Sequence, residues 1–368
     1  MARILYISPE HVSGTLELFQ RGHRARGHEC RYVTFFPSSS GFPEDICLNL
    51  PLMAGARWIQ TLKNIVYRRS PQMLGRADRE GCPPVWRSST AAEAVFFFLR
   101  DRMLSGRIRR AIRRYGLDQF DLYHLDQGLD FYRDGRFIRR MKGRGAGLVC
   151  FYHGTDLRNR GVIPEIDAIS DLNLTSELDL LTKHPNIRYL HLPFDVDRFQ
   201  VKERENDPLI IGHACRGPQT WHFKGTERIV QVIKELEKTH PVRLDLVEGL
   251  PHEECLRRKA RWDIAVDQIA DRGGWCYGVN SLETLSLGIP TCTRMNPRCS
   301  QFFPAHPFVN VDADTLKPQL VQLIEDSQYR RRKGQEGREW VRKTHGLDSV
   351  MDELYRYYAE AGIVLNPS

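Results

Sequence analysis

Short apolar runs alternate with segments of helical period along this chain, and the alternation starts twice. The first run, Ile4–Ile7, is followed by a helical segment at 15–25 and then by a second apolar run. After the charged, proline-terminated stretch 202–208, the pattern begins again with Leu209–Gly212 and a helical segment at 226–238. Apolar strands joined by crossover helices form parallel sheets. The sequence therefore predicts two α/β domains of the Rossmann type.

The length agrees with this division. A single hydrophobic core stops growing at roughly 250–300 residues, and the chain has 368. We expect a first domain at 1–195, a second at 208–345 and a C-terminal helical segment at 346–368.

Further strands are predicted at 121–125, 147–152, 244–247 and 264–266, and further helices at 57–69, 99–115, 279–287 and 348–361. The stretch 71–89, rich in Pro, Gly and charge, is predicted to be an exposed loop.

Composition narrows the class of protein. No run of about 18 apolar residues is present, so no membrane-spanning helix is expected. The N-terminal apolar run is too short for a signal peptide, and the nine cysteines include no Cys-x-x-Cys pair. We therefore expect a cytoplasmic protein with reduced thiols, without a disulfide framework or a zinc site.

The net charge of +8 is concentrated in the first half of the chain. Residues 51–150 carry 20 Lys and Arg against 9 Asp and Glu, or +11. Such a basic stretch suits a partner that carries phosphates, such as an anionic membrane, a lipid-linked acceptor or nucleic acid. A solvated basic face without function is the alternative.

The segment from Asp267 to Thr291 carries the strongest chemical signal. It is a glycine-containing loop that leads into a helix, and free N–H groups at a helix N-terminus suit a diphosphate. Glu283 lies one turn into that helix, where a carboxylate can accept two hydrogen bonds from a ribose diol. An ordinary helix at a sheet edge, with Glu283 exposed, is the alternative that these residues leave open.

This segment resembles the donor-binding motif of the retaining GT-B glycosyltransferases of the family-four type. That motif has two glutamates separated by seven residues, followed by a Gly-x-Pro turn. Glu283 and Gly288-Ile289-Pro290 match it, whereas Trp275 stands where the first glutamate is expected. Asp267 or Asp271 is a candidate for the missing carboxylate. The resemblance implies donor binding by Trp275, Tyr277, Gly278, Val279, Asn280, Ser281 and Glu283, with Glu283 on the ribose hydroxyls.

Other segments resemble the same family, in the family's order. Phe223-Lys224-Gly225, with Arg216 upstream, resembles the motif whose cations hold the donor diphosphate, and His153-Gly154-Thr155-Asp156 resembles its His-Gly-x-Asp segment. The stretch 191–199 resembles the one that precedes the interdomain linker. The loop with Ser13 and Gly14 matches the place where the family approaches the acceptor and the diphosphate.

The resemblance implies a GT-B fold, in which two Rossmann-like domains face each other across the active-site cleft and the C-terminal helix crosses back to the N-terminal domain. It implies sugar transfer from a nucleotide diphospho-sugar to a glycan, lipid-linked or other cell-surface acceptor, with retention of configuration. His153, Lys224 and Arg216 are the implied catalytic residues. No cofactor and no metal are expected, because the cations and the helix N-terminus stabilise the leaving diphosphate.

The basic region 51–150 then predicts peripheral contact with the inner face of an anionic membrane, for example through an amphipathic helix at 57–69. Core packing of that helix is the alternative. A transferase that acts on modified bases in DNA and a non-catalytic GT-B binding protein are competing hypotheses. An NAD-dependent enzyme is disfavoured, because no Gly-x-Gly-x-x-Gly follows the first strand.

Overall fold

The computed structural model describes residues 1–51, 81–86, 91–154, 156–272 and 274–365. The helix predicted at 57–69 and most of the loop predicted at 71–89 lie outside these residues. The chain divides into two compact units. The first contains Met1–His191 together with Met351–Ser368, and the second contains Leu192–Val350.

The first unit is built on a parallel sheet of seven strands. Its strands in chain order are β1 Arg3–Ser8, β2 Glu29–Thr34, β3 Ile46–Cys47, β4 Leu122–Asp126, β5 Gly147–Tyr152, β6 Leu172–Thr175 and β7 Ile187–Tyr189. They lie in the order β3-β2-β1-β4-β5-β6-β7, and every pair in the sheet is parallel. The central strands are buried on both faces, which explains their continuous apolar sequences.

Helices cover this sheet. They are α1 Thr15–Ala25, α2 Ala91–Tyr115, α3 Arg136–Lys142 and the short α4 Pro164–Asp167. A π-helical turn at Asp156–Arg160 follows β5. Ile108 of α2 and Ile138 of α3 pack in one core with Leu125 and Leu148 of the sheet. Because β1, β4 and β5 are parallel neighbours, their carboxyl ends lie side by side at one edge of the sheet.

The second unit repeats the architecture with five parallel strands. These are β8 Leu209–Cys215, β9 Val242–Glu248, β10 Ile264–Val266, β11 Thr291–Thr293 and β12 Val309–Asn310, in the order β12-β11-β10-β8-β9. Its helices are α5 Trp221–Lys224, α6 Thr226–Leu236, α7 His252–Lys259, α8 Val279–Ser286, α9 Pro297–Phe302, α10 Leu316–Glu325 and α11 Ser327–His345. Ile211, Ile229, Ile264 and Leu316 are fully buried in its core.

The last helix, α12 at Leu347–Glu360, returns the chain to the first unit. The Tyr358 hydroxyl lies 2.6 Å from Nε2 of His124, and the Tyr355 hydroxyl lies 2.9 Å from Nδ1 of His23. A Cβ at Gly22 of α1 would lie 2.6 Å from Cγ of Met351, so a larger residue there would displace the Met351 side chain of α12. The crossing of the C-terminal helix is therefore confirmed.

The expectation that every thiol is reduced is wrong for one pair. Cys276 and Cys299 form a disulfide with a Cα–Cα distance of 5.7 Å, whereas the other seven cysteines are free. The two residues are 23 apart in sequence and come together because α9 packs beside the loop before α8. Among the described residues, no helix has both the length and the apolar character needed to cross a bilayer.

Candidate functional site

A buried carboxylate organises the carboxyl edge of the second sheet. Asp267 follows β10 directly and is 2% exposed. Its Oδ1 accepts hydrogen bonds from Nζ of Lys224 at 2.6 Å and from Nδ2 of Asn280 at 2.8 Å, and its Oδ2 accepts one from the Ser281 hydroxyl at 2.5 Å. Burial alone would raise the pKa of Asp267, but Lys224 and the two hydrogen bonds hold it below the usual value. Three predicted site residues therefore meet at one charged group.

Lys224 is fixed in place at the end of α5. Its Nζ also donates to the backbone oxygen of Ala214 at 3.0 Å, and a quarter of the side chain stays exposed. Gly225 follows with φ +76°, and a Cβ there would lie 2.5 Å from Ile269. The Lys-Gly pair thus allows a close backbone approach that positions a partly exposed ammonium group at the sheet edge.

The N-terminus of α8 lies beside this cluster. Gly278 is its exposed N-cap residue in an extended conformation, and no side chain caps the helix. Val279 and Asn280 are partly exposed in its first turn. Uncapped N–H groups and the positive end of a helix dipole attract anions. Asn280 joins this helix end to Asp267 and hence to Lys224.

Glu283 lies one turn further along α8 and is 4% exposed, so the alternative of an exposed glutamate is wrong. Its Oε1 accepts from Nε2 of His252 at 2.8 Å, and its Oε2 contacts Nζ of Lys259, which is itself 3% exposed. Burial would raise the pKa of Glu283, but the hydrogen bond from His252 and the charge of Lys259 hold it below the usual value. A carboxylate has about four lone-pair sites, so each oxygen keeps acceptor capacity for a hydroxyl.

Sequence reasoning missed His252 and Lys259. Both lie on α7, at its two ends, and the segment carries no motif that links it to Glu283. Only the packing of α7 beside α8 brings them together, and the sequence offers no spacing that would have found them.

The other residues predicted to act on the donor are Arg216, Trp275 and Tyr277, and each lies in different surroundings. Arg216 follows β8 and is exposed, and none of the described residues forms an ion pair with it. Trp275 is partly exposed and lies 5.4 Å from the guanidinium of Arg298. Tyr277 packs 5.0 Å from Phe308, and its hydroxyl lies 2.9 Å from Nε2 of His345. Tyr277 thus anchors the loop, whereas Arg216 and Trp275 reach solvent.

In the first unit, His153 ends a chain of polar groups at the sheet edge. Its Nε2 lies 2.7 Å from Oδ1 of Asp126, whose Oδ2 accepts a hydrogen bond from the Ser8 hydroxyl at 2.8 Å. These residues follow or end β5, β4 and β1, which are neighbours in the sheet. The polar residues at the strand ends are the signal that could have pointed to Ser8 and Asp126.

The charge around His153 fixes its protonation state. Burial would lower the pKa of His153, but the carboxylates of Asp126, Asp156 and Glu177 raise it to about 9. The imidazole is therefore protonated at neutral pH and donates to Asp126. Burial would raise the pKa of Asp126, and His153 and Ser8 hold it below the usual value. His153 keeps 28% of its side chain exposed, so an imidazolium is presented at this edge.

Ser13 and Gly14 lie between β1 and α1 and are partly exposed. Both have left-handed backbone conformations, with φ +63° and +71°, and Gly14 is the N-cap residue of α1. A Cβ at Gly14 would lie 3.2 Å from the ring of Phe42. The turn holds the start of α1 near the carboxyl end of β1.

Comparisons of the sequence with protein-family models and with curated proteins find no match. Solved structures do match over nearly the full chain. A variant of S. aureus TarM in complex with fondaparinux, alpha-GlcNAc-glycerol and UDP is 10% identical, with a TM-score of 0.58 over 97% of this chain and 100% of that one. Anabaena HepE in complex with UDP-glucose is 11% identical, with a TM-score of 0.56 over 98% of this chain and 100% of that one.

Apo OtsA is 9% identical, with a TM-score of 0.57 over 99% of this chain and 100% of that one. At these identities the likeness concerns the fold. It covers both units, and it agrees with two parallel sheets and a C-terminal helix that returns to the first unit. The chain therefore has the GT-B glycosyltransferase fold.

Proposed function

We propose that this protein is a glycosyltransferase that moves a sugar from a nucleotide diphospho-sugar to a glycan, a lipid-linked acceptor or another cell-surface acceptor. One observation carries the proposal: Asp267 joins the ammonium group of Lys224 to the uncapped N-terminus of α8. A partly exposed cation beside free helical N–H groups suits a diphosphate. Solved structures of the same fold contain UDP in TarM and UDP-glucose in HepE, which supports a donor of this chemical class.

Lys224 and the N-terminus of α8 bind the diphosphate in this proposal, and Arg216 closes on it from solvent. These groups stabilise the negative charge that grows on the leaving diphosphate. Glu283 accepts hydrogen bonds from the ribose hydroxyls with the lone pairs that His252 and Lys259 leave unused. Trp275 replaces a glutamate of the family motif, so we expect it to affect the choice of sugar.

His153 acts on the transferred sugar or the acceptor. Asp126 keeps the imidazole charged, so His153 serves as a hydrogen-bond donor and an electrostatic partner instead of a general base at neutral pH. We expect the loop with Ser13 and Gly14 to contact the acceptor or the diphosphate. Retention of configuration, independence of metal, a cytoplasmic location and peripheral contact with the membrane follow from the family resemblance and the charge pattern.

The test is turnover of defined donors. UDP-, GDP- and ADP-linked sugars are incubated with the protein in EDTA and, in parallel, with Mg²⁺, and the released nucleoside diphosphate and free sugar are measured. We expect slow hydrolysis of one donor class, with the anomer of the released sugar identified by NMR. Lys224→Met should abolish this release, whereas Lys234→Met, at an exposed position on α6, should leave it unchanged.

The outcomes separate the hypotheses. Donor binding without release, even with candidate acceptors, would assign the protein to the non-catalytic GT-B proteins. Release that needs a divalent metal would overturn metal independence alone. A complete failure to bind any nucleotide sugar would overturn the proposed function.

A further inference from the structure

A cavity of about 880 Å³ lies in the first unit, between α2 and the segment that leads into α3. Five arginines line it: Arg102, Arg109, Arg133, Arg136 and Arg139. It also contains the carboxylates of Asp101, Asp134 and Glu165, so five cations less three anions leave an excess of +2. Arg100, outside the lining, pairs with Asp101 at 2.6 Å and increases this excess. The cavity is therefore suited to an anionic group.

Aromatic side chains hold part of this charge in place. The guanidinium of Arg133 lies 4.7 Å from the ring centre of Phe97 and 5.2 Å from that of Trp86. The two rings meet edge to face at 5.6 Å, and the backbone N–H of Arg133 donates to Asp101 at 2.9 Å. A guanidinium packed against two aromatic rings is held in place to meet an anion.

An exposed apolar stripe on α2 lies beside the cavity. Phe98 lines the cavity and is 66% exposed. Val95, Leu99 and Met103 follow one another at four-residue spacing on α2, and they are 56%, 50% and 67% exposed. Large apolar side chains grouped on one exposed stripe mark an interaction surface. Further along the helix the exposed residues include several arginines, among them Arg110 and Arg113.

We propose that this cavity binds the phosphate of an anionic membrane lipid while Val95, Phe98, Leu99 and Met103 enter the acyl region. An anionic bilayer presents phosphate groups to the arginines and acyl chains to the apolar stripe. A nucleic acid or a free phosphate would instead leave the stripe in water. The proposal gives the basic region 51–150 a specific site. It does not depend on sugar transfer, because no residue of the donor site takes part in it.

The experiment is flotation of the full chain with phosphatidylcholine vesicles, with or without phosphatidylglycerol. We expect binding only to the anionic vesicles. The double variant Arg102→Glu/Arg139→Glu should lower the vesicle partition coefficient at least about tenfold. The double variant Leu99→Ser/Met103→Ser should lower it as well, although it keeps every charge. The matched control Lys234→Glu/Lys343→Glu makes the same change in net charge at exposed positions of the second unit and should bind like the wild type.

Circular dichroism and donor-nucleotide binding of each variant show whether it is folded, so loss of vesicle binding is separable from loss of the proposed function. Equal binding to both vesicle types would overturn the proposal, as would a control variant that loses as much binding as Arg102→Glu/Arg139→Glu. Binding to duplex DNA that the arginine variant loses but Leu99→Ser/Met103→Ser retains, without vesicle binding, would assign the surface to nucleic acid.

Discussion

Nε2 of His153 lies 2.7 Å from Oδ1 of Asp126, and this contact ties the end of β4 to the residue after β5. The pair decides the charge of the imidazole. We expect His153 to titrate near pH 9 in histidine NMR spectra. Asp126→Asn should lower that pKa by about 1–3 units, because the neighbouring charge is lost while burial remains. Ser8→Ala, which keeps the carboxylate, should change it much less.

The same pair sets a pH dependence of stability. In the folded protein the pKa of His153 is about 9, above the ordinary 6.5. The protonated imidazole therefore stabilises the fold fully below pH 6.5, and this stabilisation is lost as the pH rises through 9. We expect a loss of about 1–3 kcal/mol in the free energy of unfolding over this range, reduced in Asp126→Asn. A wild-type His153 that titrates near 6.5 would contradict this account of the pair.

Glu283 and Lys259 form a buried ion pair whose partners depend on each other. Glu283→Gln should lower the free energy of unfolding by about 3–5 kcal/mol, because a buried ammonium is left uncompensated. In the double variant Glu283→Gln/Lys259→Met, the loss of unfolding free energy should be smaller than the sum of the losses in the two single variants, by about 1–3 kcal/mol. Urea denaturation measures both. Glu254→Gln, in the exposed pair with Arg257, should cost less than about 1 kcal/mol, and an equally small effect of Glu283→Gln would refute the pairing.

Asp267 is the group on which Lys224, Asn280 and Ser281 converge. Asp267→Asn should lower the free energy of unfolding by about 2–4 kcal/mol, since the charge pair of a buried carboxylate with Lys224 and a favourable hydrogen bond are lost together. Asp271→Asn is the matched control, because Asp271 pairs with Arg294 at 3.3 Å where both side chains are partly exposed. Denaturation curves that coincide for the two variants would argue against a central role of Asp267.

The Cys276–Cys299 disulfide predicts seven titratable thiols in the denatured, unreduced protein, of nine cysteines in the sequence. Its reduction should cost about 3 kcal/mol of stability, as expected for a closed loop of this size. The variant Cys276→Ser/Cys299→Ser should be insensitive to reductant. A count of nine thiols in protein purified without reductant would show that the bond does not form.

The sequence was informative where apolar patterning and burial coincide. Strands such as Arg3–Ser8 and helices such as Thr15–Ala25 are marked by continuous apolar runs and by helical spacing. The helix at Ala91–Tyr115 begins eight residues before the predicted start at 99, because its first turns expose Val95 and Phe98 and so blur the apolar face. The mostly charged helix His252–Lys259 carries no apolar period and was not predicted.

The candidate site likewise contains some residues that the sequence predicts and others that it does not. The family resemblance predicts Lys224, Asn280 and Ser281 as site residues, and the structure brings them to one carboxylate. Lys259 was not foreseen, because a lysine in a polar segment is ordinarily solvated and only tertiary packing makes it 3% exposed. The pairing of Cys276 with Cys299 likewise depends on a contact that no spacing encodes.

The most direct test of the central claim is donor binding by thermal unfolding, with UDP-, GDP- and ADP-linked sugars. A ligand at about 100 times its dissociation constant adds about 2.7 kcal/mol of stability. The account predicts a clear rise in melting temperature with one nucleotide class. It also predicts that Lys224→Met removes the rise and that Lys234→Met retains it. A rise of the same size in Lys224→Met, or no rise with any donor, would contradict the placement of a nucleotide-sugar site at Lys224, Asp267 and the N-terminus of α8.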